Sequence, residues 1–284
     1  MKNREKRKLL SDEYIEMKKN GEKIAMITAY SCPQAMVAEE AGIDSILVGD
    51  SLGMVELGYS DTIPVTMEDM LIHLKAVVRG APSTHVIVDM PFMSYHVSIE
   101  QAITNAGILY QSGRADSVKL EGGQDKAAVI NAIYKAGMPV CGHIGLTPQT
   151  AALLGGFKVQ GKTLDAAKKL LDDALAVQDA GAFMIVLEAI PMNLAALITE
   201  KLTIPTIGIG GGVSCDGQVL VFHDMMGLYK KFTPKFVKVY ADLHDVMKKA
   251  VEDYAEDVRC GKFPDDEHSF TMKKEIIEKL AKLV

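Results

Sequence analysis

Asp44-Ser45-Ile46-Leu47-Val48-Gly49-Asp50-Ser51-Leu52-Gly53-Met54 is a short apolar run that ends in a carboxylate, a hydroxyl and two glycines. It has the pattern of a buried strand with a charge at its tip. Alternation puts Ile46, Val48 and Asp50 on one face, so an element facing a core presents an acid where the backbone turns away. A single acid of this kind is ordinary turn chemistry. Here the arrangement recurs. Ala41-Gly42, Ser112-Gly113 and Ala180-Gly181 each end a helical stretch and stand seven or eight residues before Asp50, Glu121 and Glu188, the spacing of successive strand-helix units.

The same alternation runs along most of the chain. Strands are expected at Ile24 to Thr28, Ser45 to Val48, His85 to Val88, Ser117 to Leu120, Val140 to Gly142, Met184 to Leu187, Thr206 to Ile209 and Gln218 to Phe222. Helical segments fall between them at Pro33 to Ala41, after the capping residue Thr66, and at Ser98 to Ser112, Asp125 to Ala136, Thr163 to Ala180 and Asn193 to Leu202. Eight such units predict an α/β fold of the closed (βα)8 TIM-barrel type rather than an open doubly wound sheet, and no G-x-G-x-x-G follows the first strand. Residues 1 to 22 read as a charged amphipathic helix with Leu9, Leu10, Tyr14, Ile15 and Met17 on one side, closing one end of the barrel. Additional C-terminal helices are expected at Pro234 to Arg259 and Met272 to Val284. The whole, 1-284, reads as a single barrel domain, a length that such barrels commonly reach.

Composition narrows the function. With 31 Lys+Arg against 37 Asp+Glu the net charge is −6, and no basic stripe with interleaved aromatics appears, so nucleic acid is not an expected partner. No segment approaches membrane-spanning length, and the basic start from Lys2 to Lys8 lacks the apolar stretch of a secretory signal. Cys32, Cys141, Cys215 and Cys260 lie far apart without paired spacing, which argues against zinc and against a disulfide scaffold. The expectation is a cytoplasmic enzyme.

In a barrel of this kind the site lies where the strands end. Strand two ends at Asp50-Ser51, strand three at Asp89, strand four at Lys119-Leu120-Glu121, strand five at Gly142-His143 and on to Gln149, and strand six at Glu188. Four carboxylates, one lysine and one histidine would converge on one mouth, an arrangement that repels itself unless a cation neutralises part of it. Oxygen ligands from Asp50, Asp89 and Glu121, with no thiolate or histidine pair, suit a hard octahedral ion, Mg2+ by default. Lys119 shares a face with Glu121, which fits either an anion-binding cation beside the metal or an internal Lys-Glu pair. His143 could orient a substrate or cap a strand. Gly208-Ile209-Gly210-Gly211-Gly212 fits a phosphate site or a tight turn, and no basic residue stands near it.

These motifs, Val48-Gly49-Asp50-Ser51-Leu52-Gly53-Met54, Asp89-Met90-Pro91-Phe92, Lys119-Leu120-Glu121-Gly122-Gly123 and Gly142-His143-Ile144-Gly145-Leu146-Thr147-Pro148-Gln149, resemble those of the ketopantoate hydroxymethyltransferase family. The resemblance runs from about Ile24 to Phe270. It implies transfer of a hydroxymethyl group from 5,10-methylenetetrahydrofolate to 3-methyl-2-oxobutanoate through a metal-stabilised enolate, giving ketopantoate for pantothenate and coenzyme A. It further implies metal ligation by Asp50, Asp89 and Glu121, keto-acid contacts from Ser51 and Lys119, a further substrate contact from His143, and Glu188 as catalytic base. A homo-oligomer is implied too, with a decamer among its forms. Two positions depart from the family pattern: Ser31 stands where an aspartate usually follows Thr28-Ala29-Tyr30, and Gly211 replaces a common alanine.

Two other readings compete. A lyase or mutase of the phosphoenolpyruvate mutase and isocitrate lyase group would use a similar metal-enolate site; a reactive cysteine in a mobile loop would favour the lyase, and Cys141 is poorly placed for that. A non-catalytic metabolite-binding barrel would have no need of a base at Glu188.

Overall fold

The computed structural model describes residues 7–231 and 233–283. Eight strands, β1 (Ile24–Thr28), β2 (Ser45–Val48), β3 (His85–Asp89), β4 (Ser117–Glu121), β5 (Val140–Gly145), β6 (Met184–Glu188), β7 (Thr206–Ile209) and β8 (Gly217–Leu220), pair in chain order, and β8 returns to β1. Every pairing is parallel, so the sheet is a closed (βα)8 barrel, as the alternation predicts.

Parallel strands covered on both faces need apolar residues at nearly every position, and these have them. The outward set, including Ile46, Val48, Val88, Leu120 and Leu187, packs with the surrounding helices. The inward set, including Met26, Leu47, Ile87, Met184 and Val186, fills the barrel. Helix starts follow ordinary capping chemistry. Thr66 accepts the Asp69 N–H at 3.1 Å while the Asp69 carboxylate accepts the Thr66 N–H at 2.9 Å, a reciprocal cap for the helix Met67–Gly80.

The first helix, Ser11–Lys19, plugs the barrel at the amino-terminal ends of the strands. Tyr14 and Met17 are buried in the inward cluster, and the Tyr14 hydroxyl donates to the Asp44 carbonyl at 2.8 Å. Leu10, expected on the buried side, is exposed. Residues 1–6 of the expected segment lie outside the described residues.

Several boundaries differ from expectation. Strands β3, β4, β5 and β6 run on by one to three residues, so Asp89, Glu121 and Glu188 are final strand residues with defined partners in the ladder. Strand β8 stops at Leu220 because the Phe222 N–H turns to the Thr28 hydroxyl at 2.9 Å and the short helix Phe222–Met225 begins. The helix expected from Pro234 starts only at Leu243. Backbone groups ahead of it bond to that short helix instead: Tyr240 N–H to the Met225 carbonyl at 2.8 Å and Leu243 N–H to Met226 at 3.0 Å.

The helices Leu243–Arg259 and Lys274–Leu280 carry no buried residue. Val246, Val251, Tyr254, Ile276, Ile277 and Leu280 are exposed on them, and Val284 lies outside the described residues. Among the described residues no helix is long and apolar enough to cross a membrane.

Candidate active site

The carboxyl ends of β2 to β6 bring together all seven residues singled out from the sequence. Asp89 and Lys119 are ladder partners, as are Glu121 and His143, while Gly145 pairs with Glu188. Strand alternation aims most of them. Asp89 follows inward-facing Ile87 at two residues, and Glu188 follows inward-facing Met184 and Val186. Asp50 arrives by another route. Ile46 and Val48 face the helices, so alternation would carry Asp50 outward, but β2 ends at Val48 and the chain turns at Gly49. The turn is tight: a Cβ on Gly49 would lie 2.8 Å from Ser51 Oγ.

The polar groups form one connected cluster. The Asp50 N–H donates to Asp89 Oδ2 at 3.0 Å, and Lys119 Nζ pairs with Asp89 Oδ1 at 2.8 Å. His143 bridges two acids, with Nδ1 3.4 Å from Glu121 Oε1 and Nε2 3.1 Å from Glu188 Oε2. Its Nδ1 is also 3.2 Å from Lys119 Nζ. Ser51 Oγ meets the Tyr30 hydroxyl at 2.8 Å on the β1 side. Glu188, with its side chain 15% exposed, is more open than the other acids, which are buried.

Close packing fixes where Glu188 stands. Gly145 has φ 99°, and a Cβ on it would come within 2.2 Å of the Glu188 carbonyl oxygen, which accepts the Leu146 N–H at 2.9 Å. Ala189, the next residue, holds a left-handed φ of 46° with its N–H donated to the Ile209 carbonyl at 2.8 Å. Such conformations persist only where surrounding contacts over-determine them.

The electrostatics follow from burial. Desolvation, then the charges of Asp89 and Glu121, hold Asp50 well above the usual carboxylate range. Burial also raises Asp89, against the pull of Lys119. Lys119 rises in spite of its burial because Asp89, Glu121 and Asp50 surround it. For His143, burial and the Lys119 charge act downward, but the close carboxylates of Glu121 and Glu188 outweigh them and take it to about 9.

Among the described residues no three acid, histidine or cysteine side chains already enclose a point at metal-ligand spacing. The donor set nevertheless fits a divalent cation. Asp50, Asp89, Glu121 and Glu188 outnumber Lys119 and His143 by two, so one such ion would balance the cluster. Asp89 Oδ1, fully buried, has among the described residues an ion pair with Lys119 but no well-directed hydrogen bond. All the oxygens are hard donors of the kind Mg2+ prefers.

Sequence reasoning missed three neighbours of these residues: Gln149, whose Nε2 donates to Asp50 Oδ2 at 2.8 Å, Tyr95, whose hydroxyl accepts the Glu121 N–H at 3.2 Å, and Tyr30, at Ser51. Gln149 stood at the end of a quoted motif; the two tyrosines carry no local signal. Ser31 caps the helix Cys32–Glu40 by accepting the Gln34 N–H at 3.4 Å, so its hydroxyl has work outside the acid cluster. Gly211 has room for a methyl group only if the Leu187 carbonyl, 3.3 Å away, gives slightly.

A closed parallel barrel with acids, lysine and histidine at the carboxyl ends of its strands defines an enzyme of the α/β-barrel class. Within that class the chain belongs to the ketopantoate hydroxymethyltransferase family, whose model matches residues 8–266. The match reaches further toward the amino terminus than Ile24 and stops short of Phe270. A 3-methyl-2-oxobutanoate hydroxymethyltransferase of Carboxydothermus hydrogenoformans is 59% identical over 265 residues, covering 93% of this chain and 96% of that protein. One from Dehalococcoides mccartyi is 58% identical over 269 residues, covering 95% of each. Among solved structures, phosphonopyruvate hydrolase superposes with a TM-score of 0.60 at 14% identity, covering 97% of this chain and 96% of that one. A 2,3-dimethylmalate lyase of the PEP mutase/isocitrate lyase superfamily gives 0.58 at 16%, covering 96% and 98%. The mutase and lyase group is therefore a likeness of fold. Cys141 is a poor candidate for lyase chemistry, since burial pushes its thiol up to about 12.

Proposed function

We propose that this enzyme transfers a hydroxymethyl group from 5,10-methylenetetrahydrofolate to 3-methyl-2-oxobutanoate, forming ketopantoate for pantothenate and coenzyme A synthesis. The observation that carries the reading is Glu188, the most open acid of the cluster, held 3.1 Å from His143 beside Asp50, Asp89, Glu121 and Lys119. Asp50, Asp89 and Glu121 would hold Mg2+, which when bound supplies Lewis-acid polarisation of the substrate's keto oxygen. Lys119 and Ser51 bind and orient the keto acid, the ammonium facing its carboxylate. Glu188 takes the C3 proton, and His143 holds the Glu188 carboxylate in place and balances its charge. The C3 carbon, left with the electron pair, attacks the one-carbon unit. The carbon of that unit is held by two folate nitrogens: one C–N bond opens to make it electrophilic, the carbon–carbon bond forms to it, and water then displaces the second nitrogen and supplies the hydroxyl oxygen, the two nitrogens taking up the C3 proton and one proton of the water.

The direct test mixes purified protein with both substrates and magnesium and follows ketopantoate by mass spectrometry. Product should form, cease with excess chelator and return with added magnesium. No product under any metal condition sinks the reading, and full turnover in chelator sinks its metal component.

The chain acts in this reading as one domain over 1-284, in the cytoplasm, where four free cysteines suit a reducing compartment. It acts as a homo-oligomer, and a decamer is one form open to it. The exposed apolar residues of the helices Leu243–Arg259 and Lys274–Leu280 motivate the assembly. Light scattering at micromolar concentration should give a mass several times that of the chain; a stable monomer refutes this.

A further inference from the structure

We propose that Gln149 is a positioning residue for the Asp50 and Glu121 carboxylates, that Tyr95 aims it, and that the pair thereby tunes affinity for a divalent cation. The inference rests on the reading of Asp50, Asp89 and Glu121 as cation ligands and adds two residues that do not themselves bind the ion.

Gln149 lies in the single turn Pro148–Thr150 after β5 and is 4% exposed. Its polar groups are spent on the acid cluster. The backbone N–H donates to Glu121 Oε2 at 3.1 Å, and Nε2 donates to Asp50 Oδ2 at 2.8 Å and to the Met90 carbonyl at 3.0 Å. Its Oε1 accepts the Tyr95 hydroxyl at 2.6 Å. Two neighbours fix which way the amide faces. The Tyr95 oxygen accepts the Glu121 N–H at 3.2 Å, and of the two acceptors its proton can reach, Gln149 Oε1 at 2.6 Å is much nearer than the Glu121 carbonyl at 3.4 Å, so the proton is directed at Gln149. The Met90 carbonyl can only accept, so the NH2 end must face it, and the second N–H then meets Asp50.

The chemistry explains why an amide suits this place. Asp50 and Glu121 repel each other, and a lysine between them would hold both but would compete with a metal ion for their charge. A neutral donor orients each carboxylate without discharging it, leaving their remaining lone pairs to the cation. Carboxylate ligands are commonly held by outer hydrogen bonds in this way, and losing one such partner typically costs about 10- to 100-fold in metal affinity.

The test titrates Mn2+ into metal-free protein without substrates and reads free Mn2+ by electron paramagnetic resonance. Wild type, Gln149→Met, Tyr95→Phe and the double variant are compared, with circular dichroism reporting the fold. Gln149→Met should weaken Mn2+ binding by about 10- to 100-fold. Tyr95→Phe, which keeps the ring and loses the hydroxyl's bonds to Gln149 Oε1 and from the Glu121 N–H, should weaken it by about three- to tenfold. The double variant should lose less than the product of the two single losses, because Tyr95 acts in part through Gln149 and in part by accepting the Glu121 N–H; independent structural damage would multiply in full. Binding within about twofold of wild type in both single variants, or losses that multiply, overturns the proposal. If Gln149→Met fails to fold, Tyr95→Phe decides alone by the same threshold. Wild type that takes up no Mn2+ overturns the cation reading together with this one, whereas tight wild-type binding with unaffected variants overturns this one only.

Discussion

Asp50→Asn should strip the enzyme of its cation while leaving the metal-free fold at least as stable as wild type at neutral pH. Burial, then the charges of Asp89 and Glu121, raise the Asp50 pKa, so the folded protein holds this proton more tightly than the unfolded chain does. For such a group stability falls as pH rises, from the unfolded value near 4 up through the folded value, and stays reduced above it. Asparagine removes the charge and keeps an oxygen that can accept from Gln149 Nε2, now 2.8 Å from Asp50. In chelator at pH 7 to 8 the variant should therefore melt no lower than wild type, and the two should converge toward pH 4. With magnesium the order reverses, since only wild type gains from binding. Losing a ligand outright should cost at least the roughly 100-fold that marks the upper range for its supporting partners. Asp89→Asn should behave differently, because it takes from buried Lys119 the counter-ion 2.8 Å away and should lower stability in chelator. A large loss of stability for Asp50→Asn in chelator would show instead that Asp50 is a structural acceptor.

The contrast between those two acids marks how far the sequence could be read. Apolar runs bounded by glycine and proline located all eight strands, because parallel strands buried on both faces leave little room for polar residues. The period-two rule then aimed Lys119, Glu121 and Glu188 correctly, since they alternate with Val118, Leu120 and Leu187, which pack in the outward cluster. It failed for Asp50, which lies beyond the end of β2 and is turned inward by the loop at Gly49. The Asp89–Lys119 pair was not visible as a pair, because it depends on the register between β3 and β4 rather than on spacing along either one. Gln149 and Tyr95 were out of reach for the same reason. They meet through loops that follow different strands, and no periodicity connects them. The helix drawn from Pro234 was too long because the bonds that replace helical ones reach back to Met225 and Met226, a tertiary preference that local propensity does not record.

Glu188→Gln should lower turnover by about 10² to 10⁴-fold, the usual worth of a general base, with keto-acid affinity and metal binding little changed. Glutamine keeps the shape of the side chain and can still face His143 Nε2, 3.1 Å from the carboxylate in the wild type, but it cannot take a proton from carbon. The loss should fall on proton removal, and this step can be isolated by leaving out the folate. In deuterated water with magnesium, the C3 proton of 3-methyl-2-oxobutanoate should exchange on wild type and not detectably on the variant, as followed by NMR. A second readout comes from His143. Its pKa, about 9, is held up by the close carboxylates of Glu121 and Glu188 against burial and the Lys119 charge, so removing the Glu188 charge should lower it. Slow exchange together with a fallen histidine pKa identifies Glu188 as the base and His143 as the group that holds it. Undiminished exchange would move the base to His143, the nearest other acceptor, which in its neutral form could take the same proton.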